Sequence, residues 1–182
     1  SIRWQFFPAL YLLPGTYIIH RAQSGSLRFH FKALLSVWFI IALILPWAIP
    51  IFKLSKPGGK YVVGTETFHW VDSSRTEWFT NEDPNDKRQI MVQIWYPGEN
   101  KQDSKPEAYM DFIQLRSKTL ASAGKLPSFF PSHLDLIKTH SYLSIDFIKK
   151  DSVSPVLIFS HGITGSRHLH QVLFEYLASR GY

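Results

Sequence analysis

The sequence predicts an α/β fold with an incomplete sheet, preceded by one or two transmembrane helices. Three observations carry that expectation. Ala33 to Phe52 holds no charge over twenty positions, and a helix of that length crosses a hydrocarbon layer of about 30 Å. Two later segments, Tyr61–Asp72 and Gln89–Tyr96, have strand character. Pro155–Gly165 runs from a β-branched stretch through a glycine-rich turn into an amphipathic segment.

Composition sets the bounds. At 182 residues, 45% hydrophobic and 15% aromatic, the chain has room for one domain and an appendage. Its net charge of +6 arises from 20 basic and 14 acidic residues. The basic residues are scattered, without the clustering of a nucleic-acid surface, so a membrane surface accounts for the excess better. The absence of cysteine rules out disulfides and thiolate metal sites. With Ser1 rather than Met as the first residue, the start is expected to lie upstream.

The apolar run is expected to be helical over about 33–52, with Pro46 and Pro50 ending its regular part near Leu45. A buried core helix would show a polar face, which this run lacks. Trp4–Ile19 is also uncharged but is broken by Pro8, Pro14 and Gly15, and it reads as a second membrane element. Arg21, Arg28 and Lys32 precede the main run, and Lys53, Lys56 and Lys60 follow it, so the basic flanks tie at three each and leave the topology open. Lys56-Pro-Gly-Gly59 reads as a linker, dividing an anchor region at 1–55 from a globular part at 56–182.

Within that globular part, Val62, Val63, Thr65, Thr67, Phe68, Trp70 and Val71 predict one strand, and alternating Ile90, Val92, Ile94 and Tyr96 predict another. Asp83-Pro84-Asn85-Asp86 supplies turn chemistry between them, so an antiparallel pair is expected. Tyr109–Tyr142 is punctuated by Gly124, Pro127 and Pro131 and predicts short helices; Leu134, Ile137 and Tyr142 are read as one helical face after a Ser132 cap. The cluster Met110, Phe112, Ile113 and Leu115 is open to two readings, bilayer contact or core packing. Val156–Ser160 predicts a buried strand. Leu169, Val172, Leu173, Tyr176 and Leu177 mark the apolar face of a helix that Gly181 terminates.

The turn between that strand and that helix carries the chemistry. His161, Gly162 and Gly165 let backbone N–H groups point into open space, which a developing oxyanion requires, and the N–H of Ile163 is the candidate donor. His161, Gly162 and Ile163 therefore form a candidate oxyanion loop. A serine nucleophile on a G-x-S-x-G elbow is absent from the sequence, so the nucleophile, acid and histidine of such a hydrolase are expected beyond Tyr182. His161, His168 and His170 do not match a helical metal-binding spacing, and no metal or cofactor is implied. Ser160 reads as a strand-end residue.

Thr67-Phe-His-Trp-Val-Asp72, Met91-Val-Gln-Ile-Trp-Tyr-Pro97, Pro155–Arg167 and Leu177-Ala-Ser-Arg-Gly-Tyr182 together resemble the plasma-type platelet-activating factor acetylhydrolases over roughly residues 60 to 182. The resemblance implies the N-terminal portion of an α/β-hydrolase catalytic domain, truncated at Tyr182. The implied activity is calcium-independent serine esterase hydrolysis of short or oxidised sn-2 acyl chains of phospholipids, with a Ser-Asp-His triad outside this chain. The family's oxyanion loop falls on His161, Gly162 and Ile163. Secretion behind a signal peptide is the family's pattern, whereas the membrane segments here imply a tethered relative whose catalytic domain faces the exterior or periplasm. The implied partners are a phospholipid substrate and the membrane, with oligomeric state open. An α/β-hydrolase with another substrate, of dienelactone-hydrolase-like or polyester-cleaving type, and a non-catalytic membrane-tethered lipid-binding module remain as rivals.

Overall fold

The structure is a computed structural model that describes residues 3–21, 25–80, 82–83, 85–99, 104–149, 153–162 and 165–182. It forms two compact units, Ser1–Phe52 with Phe112–Ile137, and Lys53–Asp111 with Lys138–Tyr182. The division differs from the expected one in two respects: the first boundary falls after Phe52 instead of residue 55, and residues 112–137 group with the apolar N-terminal region.

The first unit is helical. A short 3-10 turn at Trp4–Phe6 leads into α1 (Phe7–Leu10) and α2 (Leu12–Arg21). Pro8 and Pro14 both fall in first turns, where a missing N–H costs no helical hydrogen bond. They break the expected 4–19 element at Tyr11, and neither four nor ten helical residues cross a bilayer.

The next helix, α3 (Gly25–Ala48), starts eight residues earlier than expected and passes through Pro46. Helix propensity does not require apolar side chains, so Arg28 and Lys32 sit in its early turns. Pro46 lies in the last turn and removes only one ladder bond, and the Ile49 N–H still donates to the Leu45 carbonyl at 3.1 Å. Among the described residues, one helix is long and apolar enough to cross a membrane, Arg28–Ala48, with 6% of it buried. Gly15 lies so near Leu35 that a Cβ there would meet its Cδ2 at 2.5 Å, and the glycine thus makes the notch in which α2 meets α3.

Residues 112–137 contribute α4 (Ile113–Ala123), with Ile113, Ser117 and Ala121 buried at i, i+4 and i+8, and a 3-10 segment at Phe130–Leu136. Trp4 is buried, donates its Nε1–H to the Phe130 carbonyl at 3.2 Å, and meets the Phe129 ring edge-on at 5.2 Å. Ser132 is not a cap but lies inside the 3-10 segment, donating to the Phe129 carbonyl. The Met110 to Leu115 cluster splits: Met110 and Ile113 are buried, Phe112 and Leu115 exposed.

The second unit holds the sheet. Strands β1 (Val62–Thr76) and β2 (Lys87–Gly98) form the expected antiparallel hairpin, in register from Val62↔Gly98 to Asp72↔Arg88. A shift then pairs Thr76 with Lys87. Short β3 (Pro106–Ala108) and β4 (Lys138–Leu143) complete the order β2-β1-β4-β3, with β4 parallel to β1. Strand β4 replaces the helical face expected from Ile137 and Tyr142. Its inward side chains are Thr139 and Ser141, 6% and 0% exposed, and a strand that buries hydroxyls leaves no apolar alternation to detect.

The helix after the turn is present, as a 3-10 start at Arg167–His170 and α5 (Gln171–Ser179). Gly181 ends it at φ 105°, the left-handed conformation that glycine adopts without cost. Its orientation is reversed from expectation. His168, Gln171, Glu175 and Ala178 are buried, while Leu169, Val172, Leu173 and Tyr176 are exposed and Leu177 is half-buried.

The expected strand Val156–Ser160 has no regular secondary structure and joins no ladder, and Val156 and Ile158 are 82% and 96% exposed. Both edges of β1 are already taken by β2 and β4, and no strand among the described residues pairs with this run. Composition can supply strand propensity, but a ladder needs a partner.

The expected linker is tied down rather than loose. The Gly59 N–H donates to Ser179 Oγ at 3.1 Å and the Tyr61 N–H to the Ser179 carbonyl at 3.0 Å. A Cβ on Gly59 would stand 2.1 Å from the Ser179 carbonyl oxygen, whereas one on Gly58 would meet nothing within 4 Å. Gly59→Ala is therefore expected to cost about 1–3 kcal/mol through backbone displacement, and Gly58→Ala to stay within about 0.5 kcal/mol of neutral. Thermal unfolding of the two variants checks this; equal midpoints would show that the strap does not pack against α5.

Candidate active site

The candidate oxyanion loop is a tight turn. The Gly165 N–H donates to the Gly162 carbonyl at 2.8 Å, closing it. A Cβ at Gly165 would come within 3.0 Å of both the Gly162 oxygen and the His161 Cβ, so this closure favours glycine. Gly162 faces open space and is exposed, as is His161. His161 turns back on the turn itself, its Nδ1 lying 2.9 Å from the Gly162 carbonyl oxygen. Ile163, the expected N–H donor, lies outside the described residues together with Thr164. Ser160 precedes the turn and is exposed.

The three histidines part company. His161 stays on the turn, and His170 is exposed with its ring 4.7 Å from that of Phe159. His168 is 1% exposed, with Nε2 3.2 Å from Asp111 Oδ1. Among the described residues, no group of three or more His, Asp or Glu side chains is placed to hold a metal ion.

From the residues just after the turn runs a buried and half-buried polar cluster that sequence reasoning missed. Ser166 caps the helix start by accepting from the His168 N–H. Arg167 pairs with Asp111 and donates its Nε–H to Gln93 Oε1 at 2.8 Å. Gln93 Nε2 in turn donates to Glu107 Oε1 and to Thr65 Oγ1, the latter at 3.0 Å. Gln171 Nε2 lies 3.2 Å from Glu107 Oε2, 3.1 Å from Ser141 Oγ and 3.0 Å from Glu175 Oε1. Glu175 Oε1 also accepts from the His140 N–H at 2.7 Å and from Ser141 Oγ at 2.8 Å.

One signal in the sequence could have exposed this cluster. His168, Gln171, Glu175 and Ala178 recur at helical spacing, a second stripe beside the apolar one. Period alone does not say which stripe faces inward.

Burial pushes the Glu107 carboxyl up to about 7, opposed by the hydrogen bonds from Gln93 and Gln171 and reinforced by the nearby charges of Glu175 and Asp111. Desolvation dominates because two neutral amides compensate a buried anion only partly.

The model of the family described as platelet-activating factor acetylhydrolase, isoform II, matches residues 50–182. The chain belongs to that family. Among solved structures, a ferulic acid esterase from Streptomyces cinnamoneus aligns with this acetylhydrolase-family chain at a TM-score of 0.54 and 29% identity. The alignment covers 73% of this chain and 35% of that one, so the chain spans about a third of the esterase's length. None of the curated proteins is a significant match. The matched region of this acetylhydrolase-family chain takes in the four-stranded sheet, the turn and α5, a mixed α/β arrangement of the hydrolase type.

The elevated Glu107 carboxyl has a consequence for stability. Its folded pKa, about 7, lies above the ordinary value of 4.5, so the folded state holds the proton more tightly than the unfolded chain. Stability is then greatest below about 4.5 and declines as pH rises to about 7, by on the order of 3 kcal/mol. Urea unfolding between those limits should show this decline, and Glu107→Gln should flatten it. Parallel pH profiles for the two proteins would refute the assignment.

Proposed function

We propose that this chain is the N-terminal portion of a membrane-tethered, calcium-independent serine esterase that hydrolyses short or oxidised sn-2 acyl esters of phospholipids. The observation that carries the reading is the family match over residues 50–182, which brings the closed His161–Gly165 turn into an acetylhydrolase framework. In this reading the turn offers backbone N–H groups, that of Ile163 foremost, to the oxyanion of the tetrahedral intermediate. The serine, acid and histidine belong to sequence beyond Tyr182.

Two structural features support a longer protein. Val156 and Ile158 are almost fully exposed, and the helix that follows the turn leaves Leu169, Val172 and Leu173 exposed. Apolar surface on that scale is what a continuing sheet would cover. The exposed helix Arg28–Ala48 supports the tether. A tether holds the site at the lipid surface and raises the effective concentration of its substrate. The resemblance favours a catalytic domain facing the exterior or periplasm. Exposed Phe112 and Leu115 are the residues of their cluster available to touch the bilayer.

A second reading has its own support. The ferulic acid esterase likeness, at 29% identity, favours an aromatic carboxylic ester as the substrate.

The test compares the full-length protein with residues 1–182 on an acetylated phospholipid in vesicles and on a soluble feruloyl ester. The expected outcome is hydrolysis of the phospholipid by the full-length protein, at least tenfold preferred in kcat/KM, and none by residues 1–182. Preference for the feruloyl ester would select the second reading. Turnover by residues 1–182 would overturn the assignment of the nucleophile to later sequence, and inactivity of the full-length protein on both esters would leave a non-catalytic lipid-binding module.

A further inference from the structure

Both ends of the candidate oxyanion turn are tied to one short piece of chain. On the incoming side, Phe159 rests on the rings of His170 and Phe174, at 4.7 and 5.3 Å between centroids. On the outgoing side, Ser166 caps the same helix start by accepting from the His168 N–H. The position of the turn therefore follows the position of Arg167–His170.

That helix start is held in turn by one carboxylate. Asp111 stands three residues past the end of β3. Its Oδ2 pairs with an Arg167 terminal nitrogen and its Oδ1 lies 3.2 Å from His168 Nε2. The two contacts come from consecutive residues and approach different oxygens, so they restrain rotation of the helix start as well as its distance from the sheet. Arg167 is also locked in direction, because its Nε–H donates to Gln93 Oε1 while the other end of that amide is held by Glu107 and Thr65. A planar guanidinium gripped on two sides by fixed partners has little freedom left.

We propose that Asp111 is a positioning residue for the His161–Gly165 turn, holding Arg167 and His168 so that the turn re-enters the fold at one fixed point. Asp111 does not touch the reacting atoms; it acts through the backbone that Arg167 continues. The proposal rests on the esterase reading above for its effect on rate, since small misplacement of an oxyanion donor costs about a hundredfold. Its structural half is independent of that reading.

The experiment uses the full-length protein with Asp111→Asn and Arg167→Lys. Asp111→Asn keeps the shape and removes the charge. Arg167→Lys keeps the charge and removes the fork that reaches both Asp111 and Gln93, so a role for the fork itself predicts that Lys fails to substitute. Hydrogen–deuterium exchange at the Gly165 amide reads the turn directly, because its protection comes from the bond to the Gly162 carbonyl. Both variants are expected to exchange about tenfold faster there. Ester hydrolysis is expected to fall about 10- to 100-fold in kcat with KM within about twofold, on the scale of a displaced donor. Unchanged Gly165 exchange in both variants overturns the proposal, whatever the activity. Faster exchange with unchanged kcat confines Asp111 to a structural staple and overturns its catalytic positioning. If the unaltered protein hydrolyses neither ester, the esterase reading falls and exchange at Gly165 alone decides whether Asp111 holds the turn. Should Asp111→Asn fail to fold, Arg167→Lys decides the matter by the same two measurements.

Discussion

Helix α5 faces its polar side inward, and most of the second unit follows from that constraint. Glu175 is fully buried and its Oε1 collects three donors, from the His140 backbone, Ser141 and Gln171. A buried carboxylate without such partners would cost several kcal/mol. The donors therefore have to be in place together, which sets β4 opposite α5 and selects hydroxyl residues for the inner face of β4. Gln171 links Glu175 to Glu107, and Gln93 links Glu107 to Arg167, so the network runs from the middle of the sheet to the start of the helix. The network is anchored through Gln171 Nε2 and Glu175 Oε1, while Gln171 Oε1 and Glu175 Oε2 are buried without a hydrogen-bond partner.

The inward polar stripe also explains the surfaces that face out. With His168, Gln171 and Glu175 committed to the interior, Leu169, Val172, Leu173 and Tyr176 fall on the opposite side, while Phe174 packs on Trp95. The Val156–Phe159 run is exposed as well, apart from the contact of Phe159 with His170 and Phe174. The turn between them is closed by its own backbone bond, from the Gly165 N–H to the Gly162 carbonyl, and Ser166 just after it caps the helix start.

The helical unit obeys a different physics. Ala33–Ala48 carries no charged side chain, and little of the apolar window within Arg28–Ala48 is buried. Its proline is harmless because it sits within one turn of the end. The aromatic contacts of Trp4 with Phe129 and Phe130 bring the start of the chain and the segment between β3 and β4 into one unit. Contact between residues so far apart along the chain leaves no local trace in a sequence.

Local patterns determined a good deal by themselves. The β1–β2 hairpin, the long apolar helix, α5 with its glycine stop, and the short helices between the strands were all legible, because each depends on propensity, period or a cap. The His-Gly turn was legible too, since its glycines answer to local sterics. Tertiary structure alone decided which face of α5 is buried, that Lys138–Leu143 is a strand, that Val156–Ser160 stands outside the sheet, and that Gly59 packs against Ser179. Asp111, Gln93 and Glu107 came together only in three dimensions. The reason is common to all of these: hydrophobic period predicts burial only when the core is apolar, and here the sheet and helix meet through hydrogen-bonded polar groups whose partners are distant in sequence.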